Sequence, residues 1–152
     1  MKIVNGSRER AEQFQAGGGF GLEAAPYLVI GFVDPGAPPP LLQVDPWRRG
    51  GCWVACHDVD TNFEAEVHRF PDLQPFAAHH AAMLAGFVRA RVLEIRGFFI
   101  HCEAGVSRSA GCAAALEEYF GQDSARWFTR CHPNQIVLRE LRAAFGLPPH
   151  RP

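Results

Sequence analysis

The sequence predicts an α/β fold: a central, mostly parallel sheet with helices on both faces. Two apolar runs carry that expectation. Tyr27 to Val33 (YLVIGFV) and Phe98 to His101 (FFIH) show no polar–apolar alternation. Unbroken runs of this kind belong to strands covered on both sides. Segments with helical spacing lie between and after them, and strands that alternate with helices assemble as layered α/β units. At 152 residues the chain suits one domain, expected to span 1–152.

Lys2-Ile3-Val4 opens the chain as a short strand. Ser7 is placed to cap a helix from Arg8 to about Gln15, although Arg10 rather than Glu fills the capping-box position. Gly17 to Gly21 is a loop; it has neither the lysine nor the strand–helix setting of a nucleotide phosphate loop. Asp34-Pro35-Gly36 ends the long apolar strand with turn chemistry. Pro38 to Pro40 continue the connection, and Leu41 to Val44 reads as a brief strand. Cys52 to Cys56 (CWVAC) is another short apolar run, ending at His57-Asp58.

Thr61 to Gln74 has no clear period and reads as a loop. From Pro75 to about Ile95, Phe76, His80, Met83, Leu84, Phe87, Val88 and Arg91 recur at helical spacing until Gly97 breaks the pattern. Ser109 to Phe120 is an alanine-rich helix. Ser124 is expected to cap a helix from Ala125 to about Cys131. Asn134 is expected to cap the last helix, Gln135 to Phe145, which Gly146 and Pro148 stop.

Fifteen basic residues against sixteen acidic ones leave a net charge of -1, with no block of one sign. Neither a nucleic-acid nor a membrane partner is expected. No apolar run approaches the roughly 18 residues of a membrane span. The opening MKIVNGSRER lacks the apolar stretch of a secretory signal, so the expected compartment is the cytoplasm. Five cysteines (Cys52, Cys56, Cys102, Cys112, Cys131) are an odd number, which suits reduced thiols better than a disulfide framework.

The stretch His101 to Ala110, HCEAGVSRSA, joins a buried strand to a helix. A helix start offers unpaired backbone N–H groups and the positive end of its dipole, which together stabilise an anion. A loop of this length, freed by Gly105, can curl so that successive amides face one centre. Glu103, Ala104, Gly105, Val106 and Ser107 would supply those amides. Arg108 would return to the same centre and grip two oxygens with its planar fork. Cys102 would lie at the floor. The field that holds an oxyanion also favours the thiolate, which is the attacking form of cysteine. Ser109 is placed to hydrogen-bond a departing thiolate, with Ser107 the weaker candidate.

His101, Cys102, Arg108 and Ser109 occupy every fixed position of a His-Cys-x5-Arg-Ser/Thr signature. The chain resembles the protein tyrosine and dual-specificity phosphatase superfamily. Outside this loop, YLVIGFVDPG, CHDVD and HPNQIVLREL are similar to small bacterial and phage phosphatase-like proteins. The resemblance implies a phosphatase-like fold, a cysteinyl-phosphate intermediate and no metal or other cofactor. It also implies an aspartic acid on a separate loop as proton donor and later base. No Trp-Pro-Asp sequence marks that residue here. Asp58 has the expected setting, at the end of a strand; Asp60 follows closely; Asp72 has the family's sequence distance from the cysteine. Asp58 is preferred. Thr61 to Gln74 would then be an insertion, with Phe63, His68, Arg69 and Phe70 forming a lid or substrate wall or simply packing the loop down.

Glu103 to Ser107 adds no cation to Arg108, and Glu103 opposes polyphosphorylated lipids. The expected partner is a phosphorylated protein, phosphotyrosine first with phosphoserine and phosphothreonine as the wider class, or a small aryl phosphate. Cys52 and Cys56, on one face of a strand, read as core packing rather than metal ligands, for want of a second ligand cluster. A reversible disulfide from Cys102 to Cys56 or Cys112 is an open alternative to packing. His101 is expected to hold the loop by hydrogen-bonding its backbone. A rival function is a phosphatase-like module that binds phosphorylated partners without efficient turnover.

Overall fold

A computed structural model describes residues 1–61 and 69–148. Its sheet contains β1 (Lys2–Gly6), β2 (Tyr27–Val33), β3 (Arg48–Ala55) and β4 (Gly97–His101). The order is β1-β4-β2-β3, and every neighbouring pair is parallel. Parallel strands need long crossovers. α1 (Arg8–Gln13) lies between β1 and β2, a helix-free loop joins β2 to β3, and α2 (Ala78–Arg91, followed by a 3-10 turn at Val92–Glu94) lies between β3 and β4; α3 (Arg108–Tyr119), α4 (Ala125–Arg130) and α5 (Gln135–Phe145) follow β4.

β2 and β4 are buried at every position, as their unbroken apolar runs require. Alternate side chains divide between two cores. Leu28, Ile30, Phe32, Phe98 and Ile100 face a large core with α2, α3, α4 and α5. Val4, Tyr27, Val29 and Phe99 face a smaller one, closed by Ala11 and Phe14 at the α1 end. Phe14 stacks on Phe99 with ring centroids 4.0 Å apart. Helices therefore lie on both faces, but unequally. The loop that completes the small core is pinned by the buried Asp45, which accepts from Ala16 N (2.7 Å), the Tyr27 hydroxyl (2.9 Å) and Trp47 N (2.9 Å).

Two local expectations fail. Leu41 to Val44 forms no strand, and Leu41 and Val44 are among the most exposed apolar residues described. β2 already has a partner on each side, so that short segment finds no open ladder beside the buried strands. Ser124 does not cap α4; its hydroxyl donates to Glu118 Oε1 (2.9 Å), and the carboxylate of Asp123 takes Ala125 N (2.9 Å). By contrast, Ser7 accepts from Arg10 N (3.2 Å) and Asn134 accepts from Val137 N (3.0 Å), as a cap should. Gly146 ends α5 in the left-handed conformation (φ 76°). Among the described residues no helix is long and apolar enough to cross a membrane.

The register aligns Gly6, His101, Gly31 and Trp53 across one row near the carboxyl ends of the strands. Loops leaving that edge of a parallel sheet are the usual place for ligands. The HCEAGVSRSA loop leaves it from β4, the Asp34 turn from β2 and the His57-Asp58 segment from β3.

Candidate active site

The loop after β4 is curled, and its outer surface is tied down. Carbonyls of Glu103, Gly105, Val106 and Ser107 accept hydrogen bonds from groups outside the loop. The donors are Arg8 N (3.1 Å), the Asn5 side-chain amide (2.7 Å), His132 N (2.9 Å) and Asn134 N (3.1 Å). With the carbonyls turned outward, the amides turn inward. Those of Glu103, Ala104, Val106 and Ser107 donate to no acceptor among the described residues. Gly105 N–H points at Cys102 Sγ, 3.2 Å away. Gly105 stands at φ +77°, and a Cβ there would come 2.5 Å from Gly6 C. Both the dihedral and the contact demand glycine.

Cys102 is buried beneath this curl, and its Sγ lies 3.0 Å from Ser109 Oγ. Arg108 begins α3 and is almost fully buried. Its Nη1 donates to Cys56 O (2.5 Å) and to Asp34 Oδ1 (2.8 Å). Its Nε is buried without an acceptor among the described residues. A buried donor of that kind is costly unless a ligand completes it. Burial works against the charged guanidinium, but Asp58 and Asp34 outweigh it and hold Arg108 firmly protonated.

Asp58 reaches the same place. Its Oδ1 accepts from Ser107 Oγ (2.7 Å) and from the Asn134 side-chain amide (2.9 Å), while Oδ2 lies 3.9 Å from Arg108 Nε. Oδ1 is thus held by the protein, and Oδ2 is the oxygen on the Arg108 side. Asp60 serves elsewhere, its Oδ1 taking Gln135 N (2.9 Å) at the start of α5. Asp72 is exposed and does not line the cleft. That open cleft, of about 460 Å³, is lined by Asp34, His57, Asp58, Val59, Phe70, Leu73 and Arg108. Gln74 and His57 exchange two hydrogen bonds at its mouth (2.8 and 2.9 Å). Phe70 forms part of the wall, whereas Arg69 is exposed and outside the lining. Phe63 and His68 fall outside the described residues.

Three residues of the site were not expected from sequence. Asn5 and Asn134 anchor the loop, and Asn134 also holds Asp58 and Val59 O (2.9 Å). Asp34 grips Arg108. The only sequence signals were turn chemistry at Asp34 and a capping pattern at Asn134.

Three solved structures share this arrangement of elements. Human DUSP28 superposes with a TM-score of 0.54 at 18% identity, over 95% of this chain and 91% of that one. A mouse dual-specificity phosphatase complexed with zinc tungstate gives 0.52 at 19% identity, over 81% and 71%. The chain has the dual-specificity phosphatase fold. The human tyrosine phosphatase-like serine/threonine/tyrosine-interacting protein is also similar, with a TM-score of 0.50 at 17% identity over 78% and 75%. No protein-family model matches the sequence, and no curated protein matches it. At these identities the likeness is one of fold, and the chemistry must be argued from the residues themselves.

His101, expected to hold the loop of this dual-specificity phosphatase fold, does not do so. Both ring nitrogens are buried and without hydrogen-bond partners among the described residues. The ring instead leans over Gly31, where a Cβ would meet its Nε2 at 2.5 Å. A side chain at position 31 would displace it, so a glycine and a histidine share one volume. Burial, helped by the charge of Arg8, pushes its pKa down from 6.5 to about 4. Neutral His101 is therefore native, and the unfolded chain binds the extra proton below pH 6.5. Folding stability is complete above that pH and falls by about 3 kcal/mol as pH drops toward 4. Urea unfolding across that range, beside His101→Asn, checks this: the variant should lose roughly that part of the pH dependence, and an unchanged slope would contradict the assignment.

All five cysteines are free thiols. Cys56 and Cys112 belong to the large core, with Cys52 packed against it. Burial raises the Cys56 thiol to about 11 and the Cys112 thiol further. Core packing explains both.

Proposed function

We propose that the chain hydrolyses phosphate monoesters, phosphotyrosine first among them, through a cysteinyl-phosphate intermediate on Cys102. One observation supports this reading: the curled loop leaves four amides and the buried Arg108 Nε without acceptors among the described residues, with Gly105 N–H on the Cys102 sulfur. A dianionic phosphoryl group fits that requirement. The Cys102 thiolate attacks phosphorus in line and the P–O bond to the leaving group breaks. Charge on the equatorial oxygens is held by loop amides and Arg108. Asp58 Oδ2 gives its proton to the leaving oxygen and then takes one from water. That water attacks phosphorus, the P–S bond breaks, and the Ser109 hydroxyl, already 3.0 Å from Sγ, donates to the departing thiolate. Phe70, Leu73 and Val59 give the leaving group an apolar wall, which suits an aryl ring.

Asp58→Asn should lower turnover of an alkyl ester, such as a phosphoserine peptide, by about 10²–10³-fold. It should slow para-nitrophenyl phosphate far less, because that leaving group needs little protonation. If Asp72→Asn produces this split instead, the acid is misassigned. Quenched reactions with para-nitrophenyl phosphate should carry a phosphoryl adduct on Cys102 by mass spectrometry; turnover without it would refute the intermediate.

A second reading follows from Asp58 itself, whose carboxylate rests on Ser107 and Asn134. Should those bonds hold it back from the substrate, the cradle would capture phosphorylated partners with little turnover. Hydrolysis of neither substrate, with phosphopeptide binding intact, would favour that module.

A further inference from the structure

We propose that Asp34 makes this site selective for phosphoesters flanked by a cationic group, a guanidinium or ammonium beside the phosphorylated residue. The inference rests on the phosphate-binding reading of Cys102 to Arg108 and names the substrate class for it.

The charges around the cleft are unevenly placed. Its cation, Arg108, has a side chain only 3% exposed, whereas the Asp34 carboxylate is 54% exposed. Arg108 is the single Lys or Arg among the described lining residues, beside two carboxylates, Asp34 and Asp58. Its charge serves the phosphate in the pocket, while the mouth presents a carboxylate. Asp34 spends Oδ1 on Arg108 Nη1, and Oδ2 has no partner among the described residues. That oxygen is free to receive a donor from the substrate.

The turn after β2 holds Asp34 at the carboxyl edge of the sheet, within one guanidinium of the phosphate centre. A phosphate on Arg108 and a cation on Asp34 would then be separated by one guanidinium, within reach of adjoining groups of one peptide. A second phosphate or a carboxylate there would meet the Asp34 carboxylate. At such distances like and opposite unit charges near a surface differ by enough to matter, and salt reduces the difference.

The test uses three phosphotyrosine peptides identical except for Arg, Ala or Glu beside the phosphotyrosine. The wild-type chain should turn over the Arg peptide with a kcat/KM at least about tenfold above that of the Glu peptide, and the ratio should shrink as salt rises. Asp34→Asn should cut the ratio at least about threefold, whatever it does to the absolute rates, and Asp34→Glu should retain it. A wild-type ratio near one overturns the inference. So does an Asp34→Asn variant that slows all three peptides equally, since Asp34 would then only orient Arg108. The same peptides are titrated against Cys102→Ser by fluorescence polarisation, and the Kd ratio decides the inference without any turnover. Failure to hydrolyse para-nitrophenyl phosphate therefore counts against hydrolysis alone, while failure to bind any of the peptides overturns both.

Discussion

Replacing Cys102 by serine is expected to abolish turnover while leaving phosphate-ester binding intact. The two side chains differ little in size, and Cys102 is enclosed, so the loop has no reason to rearrange. Gly105 N–H and Ser109 Oγ, at 3.2 and 3.0 Å from Sγ, can bond to a hydroxyl instead. The loop amides are oriented by bonds on the opposite side, from Arg8, Asn5, His132 and Asn134, none of which involves the sulfur. What disappears is the thiol nucleophile, and a serine hydroxyl in its place is a weak one unless an adjacent general base activates it. Loss of a nucleophile in a concerted site costs on the order of 10⁴-fold or more in kcat. Steady-state assays should read that fall, with the Kd for a phosphotyrosine peptide within about threefold of wild type. Retained activity would move the chemistry to another residue.

Gly105→Ala is expected to be nearly as damaging to activity, for a different reason. At φ +77° an alanine bears roughly 1–2 kcal/mol of backbone strain. Its Cβ would also stand 2.5 Å from Gly6 C and 2.6 Å from Ser7 N. Those are backbone atoms at the β1–α1 junction, so no rotamer change relieves the overlap. Against this, each bond anchoring the loop contributes only about 1 kcal/mol net. The strain therefore exceeds any single anchor, including Asn5 to Gly105 O at the same residue, and the loop opens before the sheet does. The expected result is a drop of about 100-fold or more in kcat/KM with a much smaller change in the urea midpoint. A variant with wild-type kcat/KM would show that the curl is not needed.

Legibility followed the range of the interactions. β2 and β4 were readable because burial on both faces writes an unbroken apolar run. The curl of the loop after β4 was readable because Cys102, Gly105 and Arg108 lie close together in the chain. Asn134 was visible as a cap for α5, but its grip on Asp58 crosses 76 positions and depends on how α5 meets the β3 loop. Asp34 pairs with Arg108 across 74 positions, and in the sequence it was only the start of a turn. Leu41 to Val44 had apolar residues but no open sheet edge beside β2. His101 was misjudged because ring direction is set by the volume over Gly31, which no local pattern records. Among the three acids, sequence distance favoured Asp72 and strand context favoured Asp58; only Asp58 reaches the arginine.

The most direct measurement is a crystal structure grown with orthophosphate. Phosphate should sit with its oxygens within hydrogen-bond distance of the amides of Glu103, Ala104, Val106 and Ser107 and of Arg108 Nε, with Cys102 Sγ below phosphorus. Phosphate bound elsewhere, or this loop left empty at saturating concentration, would contradict the account.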